Sequence, residues 1–94
     1  MPGIQIGHSG RKARCFRPWE GRGPLDEQSA GVDDWAEWEL VGPSTITDAG
    51  DPKPRALSAN EIPEMVENWG RAAARADAAG FNMLEIHGAR GYLL

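Results

Sequence analysis

Two short apolar segments at opposite ends of the chain, Gly3 to His8 and Phe81 to His87, flank the one sustained helical period, and that order limits the folds available. In the later segment Phe81, Met83, Leu84 and Ile86 surround Glu85, the composition of a strand buried on both faces of a parallel sheet. In the earlier one, alternation places Ile4 and Ile6 on one face and Gly3, Gln5 and Gly7 on the other. Strand, long connection, helix and strand make a βαβ unit. Two strands and one helix leave the other flank of each strand unpaired, whereas a (β/α)8 barrel needs roughly 200 residues or more to close. The fold class expected is α/β, with residues 1–94 forming a βαβ segment of a TIM barrel, partial and truncated at both ends.

The helix is read from Ser58 onward. Ser58-Ala59-Asn60-Glu61 has the form of a capping box, and Ile62, Val66, Trp69, Ala73 and Ala76 make one apolar stripe. Glu67 and Arg71 are spaced for an i,i+4 pair, and Gly80 stands where a helix of this length would end. Pro63 conflicts with a start at Ser58, because past the first turn it removes a backbone hydrogen bond; a kink or a later start is expected. Trp69 reads as core rather than as a platform for a cofactor.

Between strand and helix, Ser9 to Leu57 has no sustained period and holds every proline except Pro2 and Pro63, together with Trp19, Trp35 and Trp38. A connection of about fifty residues is abnormal in a compact domain, so either the loop is functional and packs over a larger scaffold or the assignment of the elements is wrong. Trp38 to Val41 could form a short strand, and Gly42-Pro43-Ser44 and Ala49 to Pro52 read as turns.

Polar chemistry begins where the second strand stops. His87, Arg90 and Tyr92 fall within six residues, spaced by Gly88 and Gly91, at the carboxyl end where α/β proteins build their sites. Gln5, facing a glycine-lined space, can offer a donor and an acceptor to a flat heterocycle, though a solvated Gln at a strand end fits the periodicity equally well. His8 and His87 have no third ligand at a metal-binding spacing. Lys and Arg number 10 against 14 Asp and Glu, a net charge of −4, which excludes nucleic acid or an anionic membrane as the main partner. Arg11, Lys12, Arg14 and Arg17 form only a local basic cluster. With a single cysteine, Cys15, and no long apolar run or leader, a cytoplasmic location is expected, and Cys15 reads as a bystander thiol.

The segments GIQIGHSGRKA, RPWEGRGPL, WELVGPS, ARADAAGF and above all EIHGARGYLL together resemble the Old Yellow Enzyme family of FMN-dependent NAD(P)H oxidoreductases, in its bacterial ene-reductase-like branch. The resemblance spans nearly the whole chain. It implies that Gly3 to His8 is barrel strand three, Ser58 to Ala79 helix three and Phe81 to His87 strand four. It further implies that Gln5 hydrogen-bonds the pyrimidine side of FMN, that His87 grips the carbonyl oxygen of an enone-type substrate, and that Tyr92 protonates the carbon α to that carbonyl. NADH or NADPH would be the reductant. Arg90 departs from the family's His or Asn, so a substrate-binding role there is carried over only as a candidate. The resemblance also places the first two strands and the phosphate-binding loops outside these residues, so the rest of the barrel or another chain is expected to cover the strand edges. The alternative is a non-catalytic barrel remnant without FMN binding of its own.

Overall fold

The computed structural model describes residues 1–25 and 38–94; Trp35 lies outside the described residues. Strand β1 (Gly3–Ile6) leads through two 3-10 turns, Gly10–Lys12 and Pro18–Glu20, to the two-residue strands β2 (Val41–Gly42) and β3 (Arg55–Ala56). Helix α1 (Glu61–Ala78) and strand β4 (Met83–Ile86) complete the described elements. β1 pairs with β4 in parallel, and β2 with β3 in a second parallel pair. The helix between β1 and β4 packs on β1, so the described residues form a small α/β unit, with β2 and β3 inside the connection read as a loop.

The register sets two faces. Gly3 lies opposite Met83, Ile4 opposite Leu84, Gln5 opposite Glu85 and Ile6 opposite Ile86. Side chains alternate along a strand, so Ile4, Ile6, Leu84 and Ile86 share one face while Gln5 and Glu85 share the other. Ile4 and Ile6 are half-buried, and Ile6 lies beside Met65 and Trp69 of α1. The alternation expected of the first strand is therefore present.

The expectation of a second strand buried on both faces is not met. Every residue of β4 is exposed, with Met83 and Ile86 at 59% and 56%. Among the described residues β4 has β1 as its one strand partner, and nothing pairs its outer edge. The apolar stripe of α1 behaves similarly: Ala76 is buried and Met65, Trp69, Ala72 and Ala73 are half-buried, whereas Ile62 and Val66 stay exposed. Those two side chains line an apolar groove with Pro43, Leu57, Trp69 and Leu93.

At the helix start only half of the capping box forms. The Glu61 carboxylate accepts from the Ser58 amide at 2.7 Å, but the Glu61 amide donates to the Ser58 backbone carbonyl at 3.0 Å rather than to its hydroxyl. The helix begins at Glu61, which places Pro63 third in the first turn, where an N–H has no intrahelical acceptor to lose. Pro63 thus delays the start. At the other end Gly80 adopts φ 93° and donates to Asp77 O at 2.9 Å, while Phe81 donates to Ala76 O at 3.2 Å, the paired bonds of a Schellman ending. The expected Glu67 to Arg71 pair is replaced by Arg71 donating to Asn68 Oδ1 at 2.8 Å, since an amide three residues back lies within the same reach.

The connection is partly ordered by ions. Arg55 donates through Nε and Nη2 to both carboxylate oxygens of Glu39 at 2.6 and 3.1 Å, and through Nη1 and Nη2 to those of Glu61 at 2.8 Å each. One guanidinium therefore joins the segment before β2, strand β3 and the start of α1. Leu40 is buried, and of the short strand expected over Trp38 to Val41 only Val41 is in the two-residue strand Val41–Gly42.

Candidate active site

The carboxyl ends of β1 and β4 lie side by side, because the ladder continues one step beyond the strands: His87 N donates to Ile6 O at 2.9 Å. Gly7 then stands against His87, and a Cβ added to Gly7 would meet His87 Cβ at 3.3 Å. On this face the order from the strand middle outward is Gln5 with Glu85, then Gly7 with His87. Gln5 Nε2 donates to Glu85 Oε1 at 2.6 Å. A carboxylate only accepts, so that bond fixes the amide and leaves Gln5 Oε1 as the free acceptor.

His87 and Tyr92 come together. Their rings stack with centroids 5.0 Å apart and planes inclined by 19°. Both residues are half-buried, and His87 Nδ1 is a buried nitrogen with no hydrogen-bond partner among the described residues. Buried polar atoms are nearly always satisfied in folded proteins, and among the described residues this ring nitrogen is the one buried side-chain polar atom left unpaired.

Arg90 is not brought to that atom. A helical turn after β4 would have set residues 87 and 90 on one side, but Arg90 has φ 68° and Gly91 φ 63°, two successive left-handed residues that turn the chain the other way. The Arg90 carbonyl accepts from Lys12 Nζ at 2.7 Å, and the Gly91 carbonyl from Arg11 Nε at 3.1 Å. Lys12 Nζ also sits 5.9 Å from the Tyr92 ring centroid. The sequence contained a signal for these contacts in the basic cluster beginning at Arg11, read there only as a local patch.

The same clasp needs Gly10. That residue is buried with φ 56°, and a Cβ there would fall 2.7 Å from Leu93 N. Leu93 N in turn donates to His8 O at 3.2 Å, and His8 Nδ1 accepts from the Gly10 amide at 2.9 Å, so His8 serves the loop. Cys15 donates to Lys12 O at 3.1 Å and is exposed. Among the described residues no group of three or more His, Cys, Asp or Glu is placed to hold a metal ion, and no helix is long and apolar enough to cross a membrane.

Residues 2–94 match the model of the NADH:flavin oxidoreductase / NADH oxidase family. The chain is 42% identical over 94 residues to an NADH:flavin oxidoreductase of Gibberella zeae, covering 98% of this chain and 22% of that protein. It is 38% identical over 90 residues to 12-oxophytodienoate reductase 7 of Oryza sativa subsp. japonica, covering 96% and 22%. With the NADPH dehydrogenase of Bacillus subtilis it shares 36% over 93 residues, covering 98% and 21%. The chain thus spans about a fifth of the length of the curated relatives it matches. On a match of this extent, it belongs to the NADH:flavin oxidoreductase / NADH oxidase family, the Old Yellow Enzyme family that its motifs resemble.

Proposed function

We propose that the chain is the segment from strand three to strand four of a (β/α)8 barrel, within an FMN-dependent NAD(P)H oxidoreductase that reduces activated C=C bonds of α,β-unsaturated carbonyl compounds. Family membership supports the class, and the parallel β1 and β4 joined through α1 support the placement. The observation that carries the site is the unpaired His87 Nδ1 stacked beside Tyr92 at the carboxyl end of that pair. The exposed β4 and the apolar groove beside Ile62 and Val66 are surfaces that further barrel elements would cover. A non-catalytic remnant shares those surfaces but gives no reason for the His87 and Tyr92 arrangement.

The residues present fit one edge of a flat heterocycle. Gly3 and Gly7 carry no side chain on the face where Gln5 stands, and the Gln5 bond to Glu85 leaves Gln5 Oε1 to accept a ring N–H. When bound, FMN supplies a hydride, drawn from NADH or NADPH, to the β carbon of the substrate. His87, with its proton on Nδ1, donates to the carbonyl oxygen as negative charge builds there. Tyr92 gives its phenolic proton to the α carbon as the general acid.

The test is a chimera in which residues 2–94 replace the matching segment of the Bacillus subtilis NADPH dehydrogenase. Tyr92→Phe is expected to slow enone reduction by the reduced flavin on the order of 10²-fold while leaving flavin reduction by NADPH nearly intact, because the proton is needed only in the second half-reaction. Stopped-flow traces of the two half-reactions separate these outcomes. Equal rates in Tyr92→Phe and parent would remove Tyr92 from the chemistry.

A further inference from the structure

We infer that Lys12 is a positioning residue for Tyr92, acting with Arg11 as a clasp from the loop after β1 onto the turn after β4; this rests on the function proposed above. The turn needs such a restraint. Arg90 is a non-glycine residue at φ 68° followed by Gly91 at φ 63°, a conformation that L side chains disfavour, and Tyr92 is the next residue. Lys12 Nζ donates to the Arg90 carbonyl at 2.7 Å and Arg11 Nε to the Gly91 carbonyl at 3.1 Å, so the two peptide groups leading into Tyr92 are each held by a cation. Bonds from a charged donor are the stronger kind.

Other contacts keep the clasp in place. Arg11 Nη1 lies 3.9 Å from Asp48 Oδ1, which gives its guanidinium a second anchor. On the far side of Tyr92, Leu93 N donates to His8 O at 3.2 Å, and Gly10 leaves the space that Leu93 backbone fills. Tyr92 is therefore bracketed by bonds to the β1 loop, from the Lys12 and Arg11 side chains before it and from Leu93 N after it, with the Lys12 ammonium 5.9 Å from its ring and His87 stacked on it at 5.0 Å. Releasing the Arg90 carbonyl frees the turn to move the phenol away from the atom it must protonate.

The Bacillus subtilis chimera tests this through the half-reactions. Lys12→Met, which keeps the stem and removes the donor, is expected to slow enone reduction about 10-fold or more and to leave flavin reduction by NADPH within about twofold. FMN affinity and unfolding midpoint should stay close to the parent's. Lys12→Arg should restore most of the rate, since a guanidinium can donate to the same carbonyl. In a Tyr92→Phe background, Lys12→Met should add less than about a twofold further loss, the non-additivity of a residue that acts through another. The inference is overturned if both half-reactions fall equally, if Lys12→Arg is no better than Lys12→Met, or if the double variant shows the full product of the single effects. A parent chimera that neither binds FMN nor reduces enones overturns the functional reading itself, whereas a working parent with an unaffected Lys12→Met overturns only the clasp.

Discussion

The two parallel pairs use polar groups in opposite ways. In β1 and β4, four residues pair on each side, the ladder holds the strands, and the polar side chains past the strand ends are left for something else: His87 Nδ1 has no partner among the described residues. In β2 and β3, two residues pair on each side, too few to hold themselves, and the charges close on one another through Arg55, Glu39 and Glu61. Exposed ion pairs tie a loop to a helix start, whereas a buried ring nitrogen without a partner costs stability until something satisfies it. The connection from β1 to α1 belongs to both regimes, since its first turn supplies Arg11 and Lys12 to the site and its last strand supplies Arg55 to the helix start.

Glycine substitutions in the chimera should separate the two regions most sharply. Gly10→Ala places a Cβ 2.7 Å from Leu93 backbone at φ 56°, so backbone itself must shift. Gly50→Ala meets φ 87° in the turn closed by Asp51 N on Asp48 O, but with nothing within 4 Å. Gly50→Ala is expected to cost only the conformational part, about 1 kcal/mol, and Gly10→Ala more, about 1–3 kcal/mol, in denaturant unfolding. Only Gly10→Ala should also slow enone reduction, because the atoms it displaces belong to Tyr92 and Leu93. Equal effects of the two on the midpoint would show that the close approach at Gly10 relaxes freely.

Elements with a long period were legible and those held by single side chains were not. The stop at Gly80 and the delay caused by Pro63 follow from local backbone chemistry, and the alternation of Ile4 and Ile6 survives into the packed face. The pairing of β2 with β3 has no such signature, because two-residue strands show no alternation, and residues 39, 55 and 61 meet without any characteristic spacing. His87 and Tyr92 fall in one cluster in the sequence, but the turn that separates them passes through a left-handed Arg90, a conformation that an arginine does not advertise. Gly91 alone hinted at it. The exposure of β4 also could not be read from its composition, since an apolar strand looks the same whether or not its neighbours are present.

The ionic region makes a smaller, pH-dependent prediction. Hydrogen bonds from Arg55 and then from the Ser58 amide hold the Glu61 carboxyl down at about 2, against an ordinary 4.5. Glu39 is lowered as well, chiefly by Arg55, and Arg55 is raised in return. A carboxylate whose folded pKa is depressed contributes stability that is present above its unfolded value and lost as pH falls through the folded one. For Glu61 that window runs from 4.5 down to about 2. Because Arg55 and Glu39 are exposed and Glu61 is only half-buried, the contribution should be modest and weakened by salt. In the chimera, the unfolding midpoint should fall more steeply across this window in the parent than in Arg55→Met, and added salt should narrow the gap. Parallel acid profiles at low salt would show that the loop is held by Leu40 packing rather than by the ions.

The smallest effect is expected at Ser58, and it bears on how the ionic region meets the helix. Had the hydroxyl capped the Glu61 amide, Ser58→Ala would cost about 1 kcal/mol. Instead the backbone carbonyl of Ser58 takes that amide at 3.0 Å, and the backbone amide of Ser58 reaches the Glu61 carboxylate at 2.7 Å, so both bonds survive the loss of the hydroxyl. The hydroxyl is needed for neither bond. Ser58→Ala should therefore move stability by less than about 0.5 kcal/mol, in the range of an ordinary surface substitution. Glu61→Gln, by contrast, removes the charge on which Arg55 closes and should lower the midpoint more than Ser58→Ala at neutral pH while erasing the acid window. If Ser58→Ala is instead the more damaging of the two, the helix start depends on the serine side chain and the junction between β3 and α1 is a cap rather than an ion bridge.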